Sequence, residues 1–335
     1  MANPRLRIDL EKIVHNTRRA LAIGREHGFQ VMGVTKGAAG LPAVAEAMLA
    51  GGVEALGDSR LDNIERMRKA GIYTHMTLLR SPGQSDIRRT VELADASLNV
   101  DSEVVAALSQ EACSHHKTHE VVLMVDLDTG REGFAPEQVP TACREAASLP
   151  GIRLLGIGAY FHLGSDSGFH IRALHRFVAL AEQTRSKLEK PLAMLSGGSS
   201  NIFRSLAVEG RPNPGINHLR IGTAILLGFY SSLNPVTIEG FERDTFVLRV
   251  EVIEVKKRRP GEAILALGKV DTDPQFLFPA DPEMKVKEAT SDHLLVVTET
   301  PLRVGDWVSF RLGYPALCRL VVSPYVELAC VQRRQ

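Results

Sequence analysis

Strand and helix patterns alternate from about residue 30 to about residue 225, and this constrains the fold more than any other feature of the chain. Short apolar runs read as strands at Val31–Lys36, Val53–Gly57, His75–Arg80, Ala96–Val100, Glu120–Asp126, Arg153–Phe161, Leu192–Gly197 and His218–Gly222. The stretches between them read as helices, including Leu41–Ala50, Arg60–Ala70, Ser102–Ser114, Pro136–Ser148 and Phe169–Leu188. In the last of these, Ile171, Leu174, Val178 and Ala181 step by three or four residues, which is one face of a helix. Strands that alternate with helices run parallel through right-handed crossovers. Eight repeats predict closure into a (β/α)8 barrel, although an open doubly wound sheet has the same grammar and the alternation alone does not separate them.

A helix over Leu10–Glu26 precedes the first strand, and Arg5–Ile8 before it can serve as a strand of a later sheet. After Pro235 the pattern changes. Phe246, Leu248, Val250 and Val252 alternate with period two, and Ala263–Leu267, His293–Thr298, Trp307–Arg311 and Arg319–Val322 also read as strands, with almost no helical pattern. Residues 1–234 are therefore expected to form the α/β barrel and residues 235–335 an all-β domain. The turn-rich Ser231–Pro235 marks the boundary.

Lysine plus arginine is 40 and aspartate plus glutamate 39, a net charge of +1, which gives no electrostatic reason to expect nucleic acid or a membrane surface as partner. The basic run Lys256–Arg259 is followed by Pro260-Gly261 and reads as a solvated turn. Four cysteines, none at metal-ligand spacing, are too few for a disulfide framework. With no signal-like N-terminus and no apolar run of membrane-spanning length, a cytoplasmic protein is expected.

In a barrel of this kind, chemistry gathers where strands end and the next loops begin. The first strand delivers Lys36 there, the fifth Asp126 with Asp128 and Arg131 beyond it, and the sixth His162. The seventh delivers Ser196-Gly197-Gly198-Ser199-Ser200-Asn201, and the eighth carries Arg220 and ends at Gly222-Thr223. A lysine closing a buried strand is expected to be partly desolvated, which frees its amine for a Schiff base; the plain alternative is a lysine snorkelling to the rim. The serine–glycine segment before a helix can present N–H groups to an anion, with Ser199 or Ser200 capping the helix and bonding a phosphate oxygen. It matches neither GxxxxGK[ST] nor GxGxxG. Arg220 lies in a mostly apolar strand, so it needs either an acidic partner or a ligand acceptor. His162, next to aromatics, is either a packed histidine or a group that lines a planar ring.

Taken together, these segments resemble the alanine racemase family, the fold-type III pyridoxal-phosphate (PLP) enzymes. The likeness runs through Arg7–Leu10 with Val14-His15-Asn16, Gly33–Lys36, Asp128–Phe134, Leu219–Gly222 and Tyr314–Tyr325. The wording of Gly57–Asn63, Thr290–Leu294 and Ser323–Val326 is closer to the branch that includes ornithine racemases. The resemblance implies a PLP-binding TIM barrel, a C-terminal β domain, and racemisation or epimerisation of a small amino acid, with a basic or polar one such as ornithine or lysine favoured. It implies that Lys36 carries PLP as a Schiff base and acts as an acid/base. Arg220 would face the pyridine nitrogen and His162 would line the ring. Ser199 or Ser200, the Gly222-Thr223 backbone and Tyr325 would bind the phosphate, and Arg131 would orient the substrate carboxylate or a general acid/base. A homodimer, with each site completed by the partner's β domain, is implied as well.

One departure stands out. The family's second acid/base is a tyrosine in a β-domain loop, and the matching stretch here, Val255–Ala263, contains no tyrosine. Asp292 and His293 are the candidates to replace it, against the plainer reading of a solvated turn. A lyase of the D-threonine aldolase or D-serine dehydratase type is the alternative activity. Cys318 stands near that metal site, but Ala316 occupies the histidine's place, so no metal is expected. A non-catalytic PLP-binding protein is the third reading, disfavoured by the β domain, which can shield a reactive carbon from water.

Overall fold

The computed structural model describes residues 3–127, 130–161, 167–188, 192–230 and 236–331. His162, Asp128 and the boundary expected at Ser231–Pro235 lie outside the described residues. The chain opens with β1 (Arg5–Asp9) and α1 (Leu10–Glu26). Eight strands follow: β2 (Gln30–Val34), β3 (Ala55–Asp58), β4 (His75–Leu78), β5 (Ala96–Asn99), β6 (His119–Val125), β7 (Ile152–Ala159), β8 (Met194–Ser196) and β9 (His218–Ile221). They pair in chain order, all parallel, and β9 pairs back onto β2, so the sheet closes on itself. Closure decides between the two architectures that the alternation left open.

The helices between these strands are α2 (Pro42–Ala50), α3 (Leu61–Lys69), α4 (Ile87–Leu93), α5 (Ser102–Ser114), α6 (Val139–Ser148), α7 (Ser167–Arg185) and α8 (Ser200–Ala207). Burial explains why the barrel strands lack a clean polar alternation. All seven residues of β6 are buried, one face toward the barrel interior and the other under helices, and its sequence HEVVLMV is apolar almost throughout. Leu98, Val122 and Met124 form part of the packed core, with Leu155 and Met194 against them.

After α9 (Thr223–Leu227), β10 (Phe229–Tyr230) and β11 (Val236–Thr237) form a small hairpin. An antiparallel domain follows: β12 (Phe246–Val255), β13 (Glu262–Leu265), β14 (Leu277–Pro279), β15 (Lys285–Ala289), β16 (Leu294–Val297), β17 (Trp307–Leu312), a helix α10 (Tyr314–Leu320) and β18 (Glu327–Val331). Phe246, Leu248, Val250 and Val252 on β12 are fully buried while residues between them are not, the alternation of a sheet with one face on a core. β1 joins this sheet, antiparallel to β12 and parallel to β18. Contacts divide the chain into two compact units, one of residues 17–36 and 40–222 and the other of residues 1–16, 37–39 and 223–335.

One expectation is overturned: Arg319–Val322 is not a strand. Arg319 and Leu320 close α10, and Val321-Val322 form the turn beyond it. Pro315 sits in the first turn, where its missing N–H costs nothing, and Ala316, Leu317 and Leu320 bury one helical face. The tail segment Tyr314–Tyr325 thus holds this helix and the turn after it, and the last strand is β18.

Candidate active site

The mouth of the barrel begins at Lys36, which follows β2 and opens a short 3-10 turn, Lys36–Ala38. Its side chain is exposed, so the desolvated amine expected from strand position is not what the fold produces. The backbone under it is held firmly. Thr35 donates its N–H to Gly57 O (3.0 Å) and its hydroxyl to Asp58 Oδ2 (2.7 Å). Asp58 Oδ1 accepts from Asn63 Nδ2 (2.9 Å) and from the Arg60 N–H (3.0 Å). Burial raises the Asp58 carboxyl above its ordinary value, against these hydrogen bonds, which pull it down. The Asp58–Asn63 segment singled out in the sequence therefore anchors the residue before Lys36.

Deeper in the barrel lies Arg220, only 8% exposed. Its guanidinium donates to the Ser196 hydroxyl and to Ala159 O (3.0 Å). Among the described residues it pairs with no carboxylate. Burial pulls it down to about 10, so it stays cationic at neutral pH. Ser196 also meets His218 Nδ1 at 2.8 Å. Arg220 can only donate, so Ser196 accepts from it, and the Ser196 hydroxyl links the guanidinium to the His218 ring. Burial, with the Arg220 charge beside it, pushes His218 down to about 3 and keeps it neutral.

The loop after β8 is joined to this strand, since the Arg220 N–H donates to Gly198 O (2.9 Å). Gly198 has φ of +101°, a conformation that side chains rarely adopt. Ser199 occupies the N-cap position of α8, but its side chain makes no cap bond, contrary to the capping expected of it. Ser200 is buried in the first turn. Gly222 follows β9 and packs on β2, where a Cβ would lie 3.2 Å from Val34 Cβ.

Above Arg220 the rim carries an ionic cluster. Arg131 donates to both oxygens of Glu132, at 2.8 Å each. Its guanidinium also stacks on Tyr160, 4.2 Å from the ring centroid. The bond from Arg131 holds the Glu132 carboxyl below its usual range, and the Lys36 charge adds to the effect. Arg131 is thus already engaged by Glu132 and Tyr160. The sequence reading passed over Tyr160, Glu132 and His218. A signal was present: residues two apart on a strand share a face, so Arg220 implicates His218.

The remaining candidates belong to the other unit. Thr223 starts α9, and Tyr325 is 60% exposed with its N–H toward Ser323 Oγ (3.3 Å). Asp292 and His293 are exposed on the turn between β15 and β16, where Thr290 N donates to His293 O (2.9 Å) and His293 N to Thr290 Oγ1 (3.1 Å). Ala316, which stands in the place of a lyase's histidine, is fully buried.

An eight-stranded parallel barrel with a lysine at its rim and an antiparallel C-terminal domain defines a known class of enzyme fold. Residues 8–228 match the family described as alanine racemase, N-terminal domain, and the chain belongs to that family. It is 33% identical to a lysine racemase of Thermotoga maritima, covering 98% of each chain. It is 30% identical to an ornithine racemase of Acetoanaerobium sticklandii, covering 97% of this chain and 98% of the relative. The solved alanine racemase of a D-cycloserine-producing Streptomyces lavendulae superposes with a TM-score of 0.81 at 17% identity, over 99% of this chain and 98% of that one, a likeness of fold. Among the described residues no helix is long and apolar enough to cross a membrane.

Proposed function

We propose that this chain is a PLP-dependent racemase of basic amino acids, with lysine and ornithine as its first substrates to test. The observation that carries the cofactor is Arg220. A buried guanidinium among neutral oxygens suits a neutral heteroaromatic nitrogen, an acceptor that brings no charge. A primary amine stands at the rim, and a glycine–serine loop runs into the N-terminus of α8, where phosphate binds well. The residues therefore fit PLP. Lys36 would hold its aldehyde, Arg220 would face its ring nitrogen, and Ser199 and Ser200 would take its phosphate.

Bound there, PLP supplies a conjugated ring that takes up the electron pair left on the substrate's Cα when a proton departs. Lys36 moves that proton at Nζ on its own side of the substrate. Arg220, cationic and buried, disfavours a second positive charge on the ring nitrogen, which favours return of the proton to Cα over its transfer elsewhere. Arg131 orients the α-carboxylate. When a carboxylate draws on Arg131, Glu132 loses part of its partner, and an ammonium on the substrate's far end restores the balance. That exchange favours lysine or ornithine over alanine, in line with the names of the two full-length relatives. The homodimer implied by the family likeness and a cytoplasmic location belong to this reading.

The test is the absorbance of the purified protein between 300 and 450 nm before and after borohydride, with mass mapping of the reduced peptide and a racemisation panel. The expected result is a band lost on reduction, a pyridoxyl group on Lys36, and turnover of lysine or ornithine above that of alanine. A label on another lysine, or no band after PLP is added, overturns the reading.

A further inference from the structure

Racemisation needs a proton taken from one side of Cα and delivered on the other. Given the racemase reading above, on which this inference rests, Lys36 serves one side and the other needs a carrier. We infer that Tyr160 is that carrier, so that one barrel supplies both acid/bases.

The alternation along β7 gives the first reason. Gly158 and Tyr160 are two apart and share a face. A Cβ on Gly158 would lie 2.9 Å from Met124 Sδ and 3.4 Å from Ser196 Cβ, and Ser196 binds Arg220 inside the barrel. Tyr160 therefore belongs to the inward-facing row, one residue past the C-terminal end of β7, at the mouth.

Strand order gives the second. Around the closed sheet, β7, β8, β9 and β2 are consecutive. The walls carrying Tyr160 and Lys36 are separated by the two strands that hold Ser196 and Arg220. A flat group facing Arg220 has the β2 wall on one side and the β7 wall on the other. Lys36 and Tyr160 thus stand on different walls of the mouth, with the Ser196 and Arg220 strands between them.

Charge gives the third. Arg131 lies on the Tyr160 ring at 4.2 Å from its centroid. Arg220 is near enough that Tyr160 opposes the burial that weakens its hold on its proton. Two guanidinium groups thus lie beside the Tyr160 side chain.

The step balances without any oxidant or reductant. For one enantiomer, the Tyr160 oxygen takes the Cα proton: a C–H bond breaks, an O–H bond forms, and the electron pair stays with the substrate carbon and its conjugated attachment. Lys36 Nζ then delivers a proton to the opposite side, its N–H breaking as the new C–H forms. The enzyme is left with Tyr160 protonated and Lys36 neutral, the state that accepts the other enantiomer.

Tyr160→Phe in the full-length holoenzyme tests this. PLP affinity, read by titrating the visible band, should stay within threefold of wild type, which a structural or cofactor-binding role would not allow. Racemisation should fall at least a hundredfold in both directions. In D₂O, one enantiomer should still exchange its Cα proton with retention of configuration, at a tenth or more of the wild-type rate, while the other should not. The inference is overturned if racemisation survives within threefold, or if both exchange rates fall together with the visible band. It is overturned equally if this one-sided pattern appears in Asp126→Asn, Asp292→Asn or His293→Gln and not in Tyr160→Phe. Wild-type protein with neither band nor exchange would instead reject the racemase reading itself.

Discussion

The two ends of the barrel solve the problem of polar groups differently. At the floor, where strands begin, charges and hydrogen bonds are matched among themselves. Glu120 on β6 meets His75 Nε2 on β4 at 2.8 Å and pairs with Arg153 on β7. The Ser97 hydroxyl on β5 meets His119 Nε2 at 2.8 Å, and Asn99 donates to Ser97 O at 2.9 Å. At the mouth, the buried cation Arg220 rests on neutral oxygens, and Lys36, Arg131 and Glu132 are open to solvent. A satisfied network holds strands in place, whereas a cation without an anion is ready for a ligand. Polar groups matched among themselves at the floor, and a buried cation resting on neutral oxygens at the mouth, separate scaffold from site in this fold.

Acid acts first through the buried histidines, His119 in the floor network and His218 beside Ser196 and Arg220. Burial keeps His119 and His218 neutral, at about 4 and about 3. Both sit near 6.5 in the unfolded chain, so between those values the unfolded state binds more protons and stability falls as pH falls. Their contribution is complete above pH 6.5 and declines below it by about 1.4 kcal/mol per pH unit for each histidine. Urea denaturation at pH 7 and pH 5 should show this loss, and His218→Gln should remove about half of the slope due to the pair. A flat profile between those pH values would break the comparison.

Next in size is Glu120→Ala. It strips His75 of its acceptor and Arg153 of its anion, but Arg153 is 65% exposed and can turn to water. The expected cost is about 2 kcal/mol, below that of a fully buried pair. Turnover per folded molecule should be unchanged. A loss of activity larger than the loss of folded protein would mean that floor and mouth are not separable.

Asp58→Asn should have the smallest effect. The amide is isosteric, Oδ1 still accepts from Asn63 and the Arg60 N–H, and the new NH₂ can donate to Thr35 Oγ1. The Thr35 hydroxyl then turns to Gly57 O, already 3.3 Å away. Thermal denaturation should place the variant within about 0.5 kcal/mol of wild type, because three bonds survive and a buried charge is removed. Asp58→Ala in the same assay, which loses all three bonds, sharpens the result.

Sequence alone determined the alternation of strands and helices through the barrel, the change from helical to alternating pattern after it, and the placing of Lys36 and the glycine–serine loop just after strands and of Arg220 within one. These depend on periodicity and on neighbours within a few residues, which the chain carries locally. Its one misread element, Arg319–Val322, was too short for strand and helix to differ in pattern, and the partners that bury Ala316, Leu317 and Leu320 decided it. Only the tertiary structure decided that the sheet closes, that Thr35 is anchored by Asp58, and that Arg220, Ser196 and His218 form one chain of hydrogen bonds. It alone brought Arg131 onto Tyr160. Those pairings join residues far apart along the chain, and they depend on strand order and register around a closed barrel, which no local pattern encodes.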